Sequence, residues 1–145
     1  MQEPAYDVYP LRPTKSAGGV GRLGRLRAPV SLGAFAGTVR TALQSGPVQV
    51  VGDPARPVER VAIVCGAGGE LLPDTVRSRA DVFLTGEMRF HDYLAARAAG
   101  IALCLPGHYA TERFALEELA DRLRSHWPGL EVSASRAEQD PVHWV

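Results

Sequence analysis

The chain has 145 residues, 46% of them apolar and 22% charged, with 16 basic side chains balanced by 16 acidic ones. That is one domain's worth of chain with enough apolar content for an ordinary core, and the absent basic surplus removes the simplest support for nucleic-acid binding. No apolar run approaches the roughly 20 residues of a membrane span, and Met1 to Ser16 has no apolar signal core, so a soluble, cytoplasmic, single-domain protein is expected.

Fifteen of the sixteen basic residues are Arg, spread along the chain, and only Arg22, Arg25 and Arg27 cluster. The bias reads as composition rather than as a binding patch. Cys65 and Cys104 each end an apolar run without CxxC spacing, which predicts small buried hydrophobes in a reducing compartment.

In chain order, residues 1–16 carry Pro4, Pro10 and Pro13 and predict an extended lead-in. Residues 17–145 follow as one α/β domain. Gly18 to Leu26 suits a short edge strand. Ser31 is placed to cap a helix whose apolar stripe is Leu32, Phe35, Val39 and Leu43, ended by Gly46-Pro47. A short strand is predicted at Val48 to Val51. Val61 to Cys65, Asp81 to Leu84 and Ile101 to Leu105 read as three buried strands. Helices are predicted between them at Leu71 to Arg79 and Met88 to Ala99. The longest helix, Tyr109 to His126, has Phe114, Leu116, Leu119 and Leu123 near one face, and Leu130 to Ser133 suggests a last strand. This alternation predicts an α/β fold with a mostly parallel or mixed central sheet and helices on both faces.

In such sheets the functional crevice lies beyond the carboxyl ends of the strands. Gly66-Ala67-Gly68-Gly69, Thr85-Gly86-Glu87 with His91, and Gly107-His108 with Glu112 follow the three buried strands. Parallel strands would gather them at one edge. His108 and Glu112, four apart at a helix start, would share one face and suit one or two metals; equally, His108 caps the helix and Glu112 is a solvated first-turn acid. Glu87 and His91 repeat the spacing, either as part of a functional edge or as a structural pair. Gly66 to Gly69 is a phosphate loop or a tight turn. Gly19 to Gly24 matches GxGxxG formally but has neither the preceding buried strand nor the following helix of a dinucleotide site. His126 and His143 read as a helix end and a tail contact, and no Ser-His-Asp or Cys-His arrangement suggests a nucleophile.

Asp81 to Glu87 with His91-Asp92, and Gly107-His108-Tyr109-Ala110-Thr111-Glu112, resemble the NIF three-like family, whose members often carry the name type 2 GTP cyclohydrolase I. Gly21 to Gly24, Val50 to Asp53, Gly66 to Gly68 and Asp140-Pro141 extend the resemblance over nearly the whole chain. It implies the C-terminal domain type of a dinuclear-metal-binding α/β protein. His108 and Glu112 are the implied metal ligands, Glu87 and His91 the implied catalytic, pocket or supporting groups, and a homo-oligomer the implied assembly. The family's His-His-Pro motif and later Asp have no match here. Glu3 to Leu11 resembles the exit from a CutA-like inserted domain, so the chain looks like a C-terminal half. A separate chain completing the site, a relic and an excised piece are all compatible with that.

The implied cofactor is a divalent metal, and mixed nitrogen and oxygen ligation suits Zn, Fe or Mn. The expected function is the metal-binding half of a metal-dependent hydrolase. The alternatives are a non-catalytic module that binds a metal or a protein, and an inert relic.

Overall fold

The computed structural model describes residues 9–14 and 19–143. Five strands form one sheet: β3 (Arg22–Ser31), β4 (Gln49–Val51), β5 (Pro57–Ala67), β6 (Val82–Glu87) and β7 (Ala102–Leu105), in the order β3-β5-β6-β7-β4. β5, β6 and β7 are parallel, while the outer strands β3 and β4 run antiparallel to β5 and β7. The predicted mixed α/β sheet is therefore what forms.

Each central strand alternates between two cores, because successive side chains leave a strand on opposite faces. Val61, Val82, Leu84, Ala102 and Cys104 pack with Leu32, Phe35, Ala36 and Val39 of α1 (Leu32–Leu43). Ala62, Phe83, Leu103 and Leu105 pack with Leu71 and Leu72 at α2 (Leu72–Arg77) and Ala96 of α3 (Phe90–Ala98). Burying Phe83 completely stabilises the fold by about 1.5–3 kcal/mol. α1 starts where expected: the Ser31 hydroxyl accepts a hydrogen bond from the Ala34 amide at 3.2 Å. α4 (His108–His126) packs across the ends of β5 and β6 and touches α1.

The lead-in is docked rather than merely extended where it is described. Tyr9 exchanges two backbone hydrogen bonds with Leu23, Leu11 is buried, and Arg12–Pro13 (β1) pairs with Gly19–Val20 (β2). The remainder of the expectation for residues 1–16 falls outside the described residues.

Four other expectations are corrected. The edge strand is long, running through Pro29 to Ser31, because an outer strand leaves the proline's missing donor without consequence. Leu130 to Ser133 forms no strand; Arg124 Nη1 of α4 donates to the Val132 carbonyl, and just beyond the segment Arg113 Nη2 donates to that of Ser135. Cys65 is exposed, because the ladder slips beside it; Cys104 is fully buried. The apolar stripe of α4 faces outward: Phe114, Leu116 and Leu119 are exposed, while the small residues Thr111 and Ala120 are the buried ones. No helix among the described residues is long and apolar enough to cross a membrane.

Candidate metal site at the carboxyl edge of the sheet

β5 and β6 step together from Val61↔Val82 to Val64↔Thr85, and the next pair is Ala67↔Glu87. β5 has spent one more residue than β6 over that interval. This bulge turns the Gly66 peptide out of the ladder, and bulges re-aim groups in this way. Two buried hydroxyls take up its polar atoms. Thr111 Oγ1 accepts from the Gly66 amide at 2.9 Å, and Thr85 Oγ1 donates to the Gly66 carbonyl at 2.9 Å while accepting from the Gly68 amide at 3.0 Å. Thr111 also donates to the His108 carbonyl at 2.8 Å, so one side chain ties the β5 bulge to the first residue of α4.

The bulge and the helix start meet with almost no space between them. A Cβ on Gly86 would lie 2.8 Å from the His108 Cα and 2.8 Å from the Gly66 carbonyl oxygen. Gly66 itself stands at φ +66°, and a Cβ there would lie 2.3 Å from Glu112 Oε1 and 3.1 Å from His108 Nε2. A bare backbone therefore forms one wall of a notch whose other wall is His108 and Glu112.

His108 and Glu112 both lie in α4, so the four-residue spacing does bring them together: Nε2 and Glu112 Oε2 are 3.2 Å apart. Glu87, the last residue of β6, holds the other side of the ring, with Nδ1 2.8 Å from its Oε1. That hydrogen bond first, and then the charges of Glu112 and Glu87, raise the imidazole pKa above its ordinary value against an opposing desolvation. Partial desolvation of the sulfur and the Glu112 charge likewise push the thiol of the nearby Cys65 upward, although the residue as a whole is exposed.

Glu87 and His91 do not form the parallel pair their spacing suggests. The four-residue rule needs both residues on one helix, and Glu87 ends a strand while α3 starts only at Phe90. His91 is exposed, and its ion-pair contact is with Asp92, 3.3 Å away. Asp92 in turn accepts from the Arg89 amide to cap α3. Gly66 to Gly69 belongs to the bulge and a 3-10 turn over Gly69–Leu71. His126 closes α4 edge-on to Trp127. Spacing gave no sign of Thr85 and Thr111; a polar residue in an otherwise apolar strand end, and one inside the helix start, were the available signals.

On the Glu87 side the site opens into a cleft of about 1160 Å³, walled by Tyr93, Leu105, Tyr109 and Arg113 and closed by the tail at Asp140 and Val142. Arg113 fixes that tail through Glu138 at 2.6 Å. Among the described residues, no group of three or more His, Cys, Asp and Glu is gathered to hold a metal ion. The notch thus offers one nitrogen and one carboxylate donor. A neutral Nε2 lone pair facing a carboxylate oxygen at 3.2 Å is repulsive unless a proton or a cation lies between them. The donor set and the bare Gly66 wall therefore fit a divalent cation, with further ligands needed from elsewhere.

The model of the family described as Duf34/NIF3 (NGG1p interacting factor 3) matches residues 5–141. A GTP cyclohydrolase 1 type 2 homolog of Bacillus subtilis (strain 168) is 36% identical over 148 residues, covering 99% of this chain and 39% of that protein. The homolog of Mycobacterium leprae (strain TN) is 37% identical over 144 residues, covering 97% of this chain and 37% of that one. Among solved structures, the Bacillus cereus protein related to NIF3 superposes with a TM-score of 0.77 at 27% identity, over 92% of this chain and 38% of that chain. The chain spans about two fifths of the length of the relatives it matches. With the match running through the lead-in, the bulge, the His108 helix and the tail, the chain belongs to the Duf34/NIF3 family.

Proposed function

We propose that this chain is the metal-binding half of a Duf34/NIF3 hydrolase, in which His108 and Glu112 supply two ligands of a divalent zinc, iron or manganese ion. The observation that carries this reading is the 3.2 Å approach of His108 Nε2 to Glu112 Oε2 against the bare backbone of Gly66. When bound, such an ion supplies Lewis acidity toward water or a substrate oxygen. The chain's own residues do the rest: Glu87 holds the His108 ring, Thr85 and Thr111 fix the bulge, and the cleft beside Glu87 receives the substrate. His91, on the exposed start of α3, does not enter this reading.

Two protein ligands fall short of the three that catalytic zinc sites use. The match to about two fifths of the relatives' length supports a separate chain, or a further segment, completing the site, and the exposed apolar residues of α4 support a homo-oligomer as the working assembly. The relatives' names put GTP cyclohydrolase chemistry first among the reactions to test. The two-donor count equally favours a second reading, a non-catalytic metal-binding or protein-interaction module. Zinc content after incubation and desalting tests the first part: the native chain should retain zinc by elemental analysis, and the combined His108→Ala and Glu112→Ala variant should not. Equal zinc in both refutes the site. Metal-dependent GTP hydrolysis that disappears in Glu112→Ala excludes the non-catalytic module.

A further inference from the structure

Glu87 approaches the His108 ring from the side opposite Glu112. Both flanking carboxylates can only accept when ionised, but Glu87 is the nearer, in hydrogen-bond geometry 2.8 Å from Nδ1, whereas Glu112 makes an ion-pair contact 3.2 Å from Nε2. The single proton of a neutral ring therefore goes to Nδ1, and Nε2 is left facing Glu112 for a cation to bridge. In water a neutral imidazole prefers its proton on Nε2. The Glu87 contact therefore selects the less favoured tautomer, and it is the one that frees Nε2 for coordination. Glu87 comes from a different element from the two donors: it ends β6, whose neighbouring Gly86 lies against the His108 backbone. Ring and carboxylate are thus fixed by the helix and the sheet respectively, which makes their meeting a property of the fold and not of one helix.

We propose that Glu87 is the positioning residue of this site: by accepting the His108 Nδ1–H it fixes the tautomer and turns the Nε2 lone pair toward Glu112 and the Gly66 notch, ready for a divalent cation. The cation part rests on the function proposed above; the tautomer part stands without it. Partners that orient metal-bound histidines in this way commonly change affinity by about 10–100-fold when removed.

The test uses imidazole nitrogen shifts of the histidine-labelled, metal-free full chain at a pH where the ring is neutral. The four histidines are distinguished by the signal that His108→Ala removes. The native chain should show the Nδ1–H form at His108. Glu87→Ala should move it toward Nε2–H and weaken zinc binding by about 10–100-fold in a competition titration. Glu87→Gln, which keeps an accepting oxygen, should restore much of both. A native His108 in the Nε2–H form, or a tautomer unmoved in Glu87→Ala, overturns the proposal. A tautomer that follows Glu87 in a chain that takes up no zinc upholds Glu87's hold on the ring and refutes the metal reading instead.

Discussion

At Gly66 the backbone stands in the left-handed region and an added Cβ would lie 2.3 Å from Glu112 Oε1. Gly66→Ala therefore meets two penalties: about 1–2 kcal/mol for the conformation, and displacement of the Glu112 carboxylate from His108. The expected result is a lower urea midpoint together with loss of zinc retention, whereas Ala at the exposed, unobstructed Gly129 should change neither. Asp74 makes a separate residue-scale prediction. Its carboxyl is held below the ordinary value of 3.8, first by the Arg12 hydrogen bond and then by Arg77, against desolvation. A folded-state pKa below the unfolded one gives stability that is present above the unfolded value and is lost as pH falls through the folded one. Asp74→Asn should therefore lower the thermal midpoint near neutral pH, and the gap from the native chain should close in acid below 3.8. Arg12 Nη2 meets Asp74 Oδ2 at 2.5 Å, so the same variant should loosen the lead-in, read as faster amide exchange around Leu11.

Elements joined by a few polar clasps make the second scale. Thr85 is fully buried and its hydroxyl serves both the Gly66 carbonyl and the Gly68 amide. Thr85→Val keeps the shape and strands both backbone groups, a loss of about 1–3 kcal/mol, measurable by urea unfolding. Exposed Thr38, which only donates back along its own helix, should tolerate the same change far better. This scale also shows what the sequence could and could not convey. Apolar periodicity placed α1 and the central strands well, because burial on one helical stripe or on both strand faces leaves a direct imprint on residue order. His108 and Glu112 were legible because one helix holds both. Glu87 was legible as a group at this edge of the sheet but not as the partner of His108, since that pairing comes from strand and helix meeting in space. The Thr85 and Thr111 clasp left no periodic trace. Leu130 to Ser133 alternates like a strand but pairs with none, and its Val132 carbonyl accepts from Arg124 of α4, a contact that residue order does not show.

Across the whole molecule, apolar surface is left outside. Phe114, Leu116, Leu119, Trp127 and Leu130 are all exposed along or just beyond α4, although a lone domain gains most by burying such a stripe. The proposed assembly predicts a solution mass above the single chain's 15.6 kDa by light scattering. Phe114→Ser combined with Leu119→Ser should return it to the monomer value without unfolding the chain, since neither residue belongs to the two sheet cores. A monomeric native chain would contradict the assembly and leave the notch geometry untouched.

The extra residue in β5 has a consequence for any attempt to shorten that strand. Were Cys65 excised, the two parallel neighbours would march in phase to their tips, and the peptide now offered sideways to Thr111 would return to the ladder. The mooring of the long helix would go with it, and the imidazole and carboxylate it carries would lose their fixed bearing on the sheet. One surplus link in a strand thus bears on how a helix start is held, and through it on where the proposed cation site lies.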